Sequence, residues 1–359
     1  PVVPPPPAGG SALVRVYYGA DRDLYSGVLI SFDVLETDYE GGYHVVQATP
    51  QDLERLEKAG LRVETETART LDQYFTPRAA LDGMTEAIPS YPCYRTVEET
   101  FATAQAIVTS HPTLATWTDQ GDSWEKTAAL GGYDMMVLKL TNSAVPGPKP
   151  RLFVTAAVHA REYATAELVT RFAEYLVDNY GADADATWIL DHHEVHLMLQ
   201  TNPDGRKQAE TGLSWRKNTN QNYCGPTITD RGADLNRNFA FQWNCCGGSS
   251  DDECNALYHG PSPASEPETQ AAQGHMSATF TDQRDTDLDA PAHDDATCIY
   301  IEVHDYGRLV LWPWGFTSSP PPNAAKLQTL GRKFAYWNDH SPEQAFGLYP
   351  TDGTSDEHA

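Results

Sequence analysis

Apolar and polar positions alternate with a period of two in ALVRVYYGA and GVLISFDVLE, as in half-buried strands, and YHVVQA adds a third such run. Before LRVETET, the stretch TPQDLERLEKAG changes period and predicts a helix. Thr49 or the Gln51–Asp52 pair opens it, Leu53 and Leu56 recur at i, i+3, and Gly60 stops it. Residues 11–70 are therefore expected to form a small α+β unit. Residues 1–10, PVVPPPPAGG, have the composition of a Pro-rich tether without a core of its own. Periodicity is lost over residues 71–89, which predicts a connecting arm.

From Tyr91 onward strand and helix patterns interleave. TVEETFATAQAIVTSHP is an amphipathic helix stopped by Pro112, and YATAELVTRFAEYLVDNYG another, with Leu168, Phe172 and Leu176 at i, i+4, i+8 and Gly181 at its end. MMVLKLT and RLFVTAAVH are apolar strands, the second continuous enough to be buried on both faces. WILDHHEVHLMLQTNPDG predicts one or two strands running into a turn, and CIYIEVHDYGRLVLWPWG two more. This order argues an α/β fold over residues 90–359, a mixed, mostly parallel sheet sandwiched by helices, preceded by the small α+β unit.

Composition narrows the class. Across 359 residues, 50 acidic and 25 basic side chains give a net charge of -25. Such a polyanion is repelled by phosphates and anionic lipid, so no nucleic acid and no membrane surface is expected as partner. No apolar run reaches the 18 residues that suggest a spanning helix. Of the six cysteines, Cys224, Cys245, Cys246 and Cys254 crowd a Gly/Ser/Asn-rich stretch, with Cys93 and Cys298 apart. The C-x₂-C spacing of a zinc ribbon is missing, so disulfides and a secreted or extracytoplasmic location are expected, with fifteen pairings open. The acidic stretch 281–295 lacks the spacing of a calcium loop and is expected to be solvated surface.

The chemistry concentrates where strands end. An apolar strand closes at Val158, and His159, Arg161 and Glu162 follow before a helix starts, at the carboxyl end of a strand where open α/β sheets place their sites. An imidazole and a carboxylate three residues apart can converge on one cation, and a catalytic zinc needs a third protein ligand. His304, directly after CIYIEV, is the best candidate. His192 and His196 in HHEVH are four apart, but EVHLMLQ alternates as a strand, so they are expected to be structural. His259 is expected to be structural support.

These motifs occur in an order that resembles the zinc metallocarboxypeptidases of the carboxypeptidase A/B type, closest to the bacterial carboxypeptidase T-like members. HARE stands at 159–162, TNPDG at 201–205, SWRKN at 214–218, DLNRNF at 234–239 and YHG at 258–260; ASEPET, HDY at 304–306 and WPWG at 312–315 follow. The resemblance spans roughly residues 90–356. It implies one Zn²⁺ held by His159, Glu162 and His304, with Asp234 accepting the other ring N–H of His159. It implies Arg216 as the group stabilising the oxyanion, Asn236 and Arg237 as the grip on a substrate's terminal carboxylate, and Arg161 and Tyr306 as further substrate contacts. The implied reaction is hydrolysis of the C-terminal peptide bond of peptides and proteins by zinc-activated water. Alternatives are an amidohydrolase of the same fold acting on cell-wall peptides or acyl-amino acids, and a catalytically dead module that binds carboxyl termini.

The resemblance further implies that residues 11–70 are a propeptide-like domain and 71–89 an activation arm cut by an activating protease, in a monomeric zymogen. The family's closing Tyr and general-base Glu fall beyond DGTSDEHA, so the catalytic domain is expected to be C-terminally incomplete at Ala359. Glu302, two residues before His304 on the same strand face, is a conceivable stand-in for that base. Asp305 follows His304 where Ser is usual and is expected to favour a basic substrate side chain.

Overall fold

The computed structural model describes residues 12–17, 32, 34–38, 41–67, 88, 91, 93–282, 287–293, 295–305 and 307–359. The tether, most of the arm, part of GVLISF and Tyr306 lie outside these. The chain divides into two compact units: Pro1–Ala79 with Tyr306–Ser318 and Ala325–Pro350, and Ala80–Asp305 with Ser319–Ala324 and Thr351–Ala359. Among the described residues no helix is long and apolar enough to cross a membrane.

The first unit begins with strands β1 (Ala12–Tyr17), β2 (Val34–Asp38) and β3 (Tyr43–Ala48), helix α1 (Pro50–Lys58) and strand β4 (Val63–Thr65). The strands form an antiparallel sheet in the order β2-β3-β1-β4. α1 opens on Thr49, whose hydroxyl accepts from the Asp52 amide while Asp52 accepts from the Thr49 amide, a capping box. Its one fully buried side chain, Leu56, joins Val14, Val16, Val46 and Leu61 in a closed core.

The second unit carries α2 (Val97–Ser110), β5 (Ala115–Asp122), β6 (Asp134–Leu140), β7 (Arg151–Ala156), α3 (Tyr163–Asp178), α4 (Ala184–His192), β8 (Glu194–Met198), α5 (Pro203–Glu210), α6 (Pro267–Thr279) and β9 (Cys298–Val303). The five strands run in the order β5-β6-β8-β7-β9; β7 pairs in parallel with β8 and β9, and β6 pairs antiparallel with β5 and β8. The sheet is thus mixed, as expected, but among the described residues its pairings divide evenly, two parallel and two antiparallel, rather than mostly parallel. Successive strand side chains separate onto two cores. Leu138, Leu140, Val154, Val195 and Leu197 meet Ala104 and Ile107 of α2 and Val169, Ala173 and Leu176 of α3. Val137, Phe153 and Met198 meet Ala271, Ala272 and Met276 of α6 on the other face. Both faces of the sheet are covered, which places chemistry at strand ends rather than on a face.

One expectation is corrected. WILDH is the last half of helix α4, not strand. Asp183 caps that helix by accepting from the Asp185 and Ala186 amides, and Ala186 and Leu190 are its buried stripe at i, i+4. Only Glu194–Met198 extends, so His192 ends a helix and His196 sits in a strand.

The remainder of the first unit holds β10 (Leu309–Trp312), α7 (Ala324–Asn338) and β11 (Ser341–Gln344), with β10 and β11 paired in parallel. Gly331 of α7 lies flat on the Trp312 ring, where an added Cβ would come within 2.7 Å of the ring carbons.

Candidate metal centre

The centre starts at the end of β7. Ala157 adopts a left-handed backbone (φ 55) that turns the chain out of the strand. Thr165 fixes this turn: its hydroxyl accepts from the Ala157 amide at 2.9 Å and donates to the Glu162 carbonyl at 2.9 Å. Glu162 occupies the N-cap position of α3 but makes no cap hydrogen bond. Asp305 serves instead, its Oδ2 accepting from the Ala164 amide at 3.1 Å. The fully buried Arg206 donates to the Glu162 carbonyl at 3.3 Å from α5. Relieved of capping, the Glu162 carboxylate turns to the two histidines.

His159 Nδ1 lies 2.6 Å from Glu162 Oε1, and His304 Nδ1, from just past the end of β9, lies 3.1 Å from Oε2. One ligand atom from each of the three residues lies within 4.8 Å of the others. Two imidazoles and a carboxylate are a donor set suited to zinc, which bonds such N and O atoms at roughly 2.0–2.2 Å. Burial pushes the Glu162 carboxyl up, but His159 and His304 outweigh it and hold it well below the usual carboxylate range. Desolvation opposes charge on His304, yet Glu162 and Glu302 raise its pKa well above the ordinary imidazole value. A ligating imidazole must be neutral, so taking up a cation here releases a proton.

Asp234 stands behind His159, its Oδ1 3.3 Å from Nε2. It is fully buried, and Arg216 grips its Oδ2 with Nε at 3.2 Å and Nη2 at 2.8 Å. Burial raises the Asp234 pKa, but Arg216 first and His159 next drive it well below the usual range. The SWRKN segment reaches this spot because Asn202 of TNPDG donates to the carbonyls of Val158 at 3.1 Å and Lys217 at 3.0 Å. Asn218 extends the lattice, accepting from the Ala233 amide and donating to Glu266 and Glu268 of SEPET. The motifs are polar because they are the buried, mutually hydrogen-bonded floor under the ligands.

The other expected site residues are less uniformly placed. Arg161 donates to Ser214 Oγ at 3.1 Å, and burial followed by the Arg216 charge lowers its pKa to about 10. Asn236 Nδ2 lies 3.2 Å from His304 Nε2 and 2.6 Å from Glu302 Oε2. Arg237 is buried and donates to the Gly248 and Asn236 carbonyls. Tyr306 lies outside the described residues. His196 pairs with His275 at 3.0 Å, and His259 with the Gly260 carbonyl and Asp251, each in a hydrogen-bonded setting of its own.

Two readings change. Asp305 turns to the first turn of α3 rather than to a substrate, and burial, then Glu162, raise its pKa to about 6. Glu302 meets His304 at Nε2, 2.8 Å away, on the edge of the ring opposite the atom that faces Glu162. A carboxylate there does not face a water held among the three ligands, so Glu302 is no stand-in base. Sequence reasoning missed Arg206 and Asp305 as supports. Their partners are a backbone carbonyl and a backbone amide, which leave no residue signature.

The sequence pattern described as zinc carboxypeptidase matches residues 101–359, and the chain belongs to that family. A zinc carboxypeptidase of Saccharothrix mutabilis subsp. capreolus is 30% identical over 348 residues, covering 90% of this chain and 72% of that protein. Carboxypeptidase B of Astacus astacus is 32% identical over 238 residues, 66% of this chain and 69% of its own length. The chain spans about half (52%) of rat carboxypeptidase A1, at 28% identity. Carboxypeptidase A from Helicoverpa armigera shares the fold, with a TM-score of 0.76 at 21% identity over 98% of this chain and 85% of that one.

Proposed function

We propose that the protein is a zinc-dependent metallocarboxypeptidase that hydrolyses the C-terminal peptide bond of peptides and proteins. The observation that carries this reading is the convergence of His159, Glu162 and His304, backed by a buried Asp234–Arg216 pair. These three side chains would hold one zinc ion, which when bound polarises a carbonyl and brings the pKa of a water to about 7. Asp234, with Oδ1 3.3 Å from Nε2, would take the Nε2–H of His159 and leave Nδ1 free to ligate. Asp234 also orients the Arg216 guanidinium, a rigid cation suited to the negative charge that develops on a carbonyl oxygen under attack. Asn236 and Arg237 would take the substrate's terminal carboxylate, an amide beside a planar guanidinium being matched to that group. Arg161 and Tyr306 would add contacts.

The reading extends to biology. Two cysteine pairs, Cys224–Cys254 and Cys245–Cys246, stand at disulfide distance, which favours an extracytoplasmic site of action. Residues 11–70 would be a pro-domain released by a protease acting in 71–89; the support is that this unit closes its own core. The direct test is release of the last residue from N-blocked dipeptides ending in Phe, Leu, Arg or Glu. Release abolished by a chelator and restored by zinc is expected. No chelator-sensitive release from any of the four would refute the activity.

A further inference from the structure

Glu302 lies on β9 two residues before His304, and the period of a strand puts both side chains on one face. Its side chain is 5% exposed. A carboxylate taken that far out of water needs paired donors. It has two on one oxygen: Oε2 lies 2.8 Å from His304 Nε2 and 2.6 Å from Asn236 Nδ2. Oε1 is buried with no hydrogen-bond partner among the described residues. The opposite ring nitrogen, His304 Nδ1, faces Glu162 at 3.1 Å, where the candidate ligand atoms gather. Asn236 is fixed at its other end too, its Oδ1 accepting from the Ser355 amide at 3.0 Å.

We propose that Glu302 is a positioning residue of the metal centre: it accepts the Nε2–H of His304 and the amide of Asn236 on one oxygen. The inference rests on the metal centre proposed above. A proton held on Nε2 leaves the Nδ1 lone pair for the ion, and an anionic acceptor on the far nitrogen raises the basicity of the near one. His159 likewise has a buried carboxylate near its Nε2, Asp234 Oδ1 at 3.3 Å. Each imidazole of the centre is thus backed by its own buried acid. The sharing of Oε2 adds a second role. It locks the ligand His304 to Asn236, the residue assigned to the substrate's carboxylate, so metal and substrate groups keep a fixed spacing.

The test is zinc affinity of the full chain, measured by competition with a chromophoric chelator for wild type, Glu302→Gln, Glu302→Ala and Glu302→Asp. Ring ¹⁵N spectra of His304 in the zinc-loaded protein accompany it. Carboxylates in this role typically contribute 10–100-fold in metal affinity. Glu302→Gln and Glu302→Ala are therefore expected to bind zinc about 10–100-fold more weakly and to shift the His304 Nε2–H signal. Glu302→Asp, which keeps the charge, should recover part of the loss. Should Glu302→Ala fail to fold, the near-isosteric Glu302→Gln decides. A purely structural Glu302 would lower the thermal midpoint and leave affinity and the Nε2–H signal alone. That result, zinc affinity of Glu302→Gln within about twofold of wild type with an unchanged signal, overturns the proposal. Wild-type protein that takes up no zinc in the same titration removes the metal centre itself, and the inference with it.

Discussion

At the scale of single residues, the centre is built from charges that burial would expel and that only mutual pairing retains. Asp234 is fully buried yet held ionised between Arg216 and His159. Breaking such a pair from one side leaves the other charge without compensation, a loss of about 3–5 kcal/mol. Asp234→Asn keeps the shape but removes the charge, strands the Arg216 guanidinium and weakens the acceptor behind His159. Two effects are expected together: a loss of stability of that order in urea unfolding, and zinc affinity reduced by about 10–100-fold in chelator competition. Unchanged zinc affinity in a destabilised protein would separate Asp234 from the metal. The three candidate ligands were legible in the sequence because they are polar residues placed where an apolar strand stops. Glu302 was visible as a carboxylate on the right face, but its contact with His304 Nε2 was not. Which ring nitrogen a side chain meets is decided by rotamers and by Asn236, 66 residues away.

At the scale of elements, the loops under the site are held by buried carboxyls with displaced pKa values. Glu268, in the first turn of α6, is pushed up to about 8 by burial and then by Glu266, while its oxygens accept from Trp124 and Asn218. Asp204, at the start of α5, is pushed up to about 6 by burial. A carboxyl whose folded pKa exceeds its unfolded value binds its proton more tightly in the native state. Its favourable contribution is complete below about pH 4 and is lost as pH rises through the folded value. Thermal midpoints are therefore expected to fall between about pH 5 and pH 8 on account of these groups, by on the order of a few kcal/mol in stability. Glu268→Gln should make that decline shallower, and an identical pH profile in the variant would show that Glu268 titrates as it does in the unfolded chain. Long periodic helices such as α2 and α3 were readable from pattern and cap. α4 was not, because the short apolar run in WILDH fits a buried strand as well as a helix. What makes it helical is the Asp183 cap and the burial of Ala186 and Leu190, which depend on the helix packing it joins.

At the scale of the whole molecule, one candidate cross-link ties the polar loops together. Cys224 and Cys254 are 30 residues apart in sequence. Closing a loop of that length stabilises by about 3–4 kcal/mol in the chain-entropy account. The double substitution Cys224→Ser, Cys254→Ser should lower the urea midpoint correspondingly, whereas an unaltered midpoint would mean that the thiols are not bonded in the native protein. The α/β class and the order of motifs were legible along the chain because each unit of pattern is local. The parallel pairing of β10 with β11 was not, since a long-range pairing leaves no periodic trace in the sequence. The central claim is that His159, Glu162 and His304 hold one zinc ion. It is tested most directly by zinc titration of metal-stripped protein beside His159→Ala, Glu162→Gln and His304→Ala, read by competition with a chelator. One tight equivalent in the wild type, lost in each variant while the fold persists by circular dichroism, is the predicted result. Zinc bound with undiminished affinity by all three variants would contradict it.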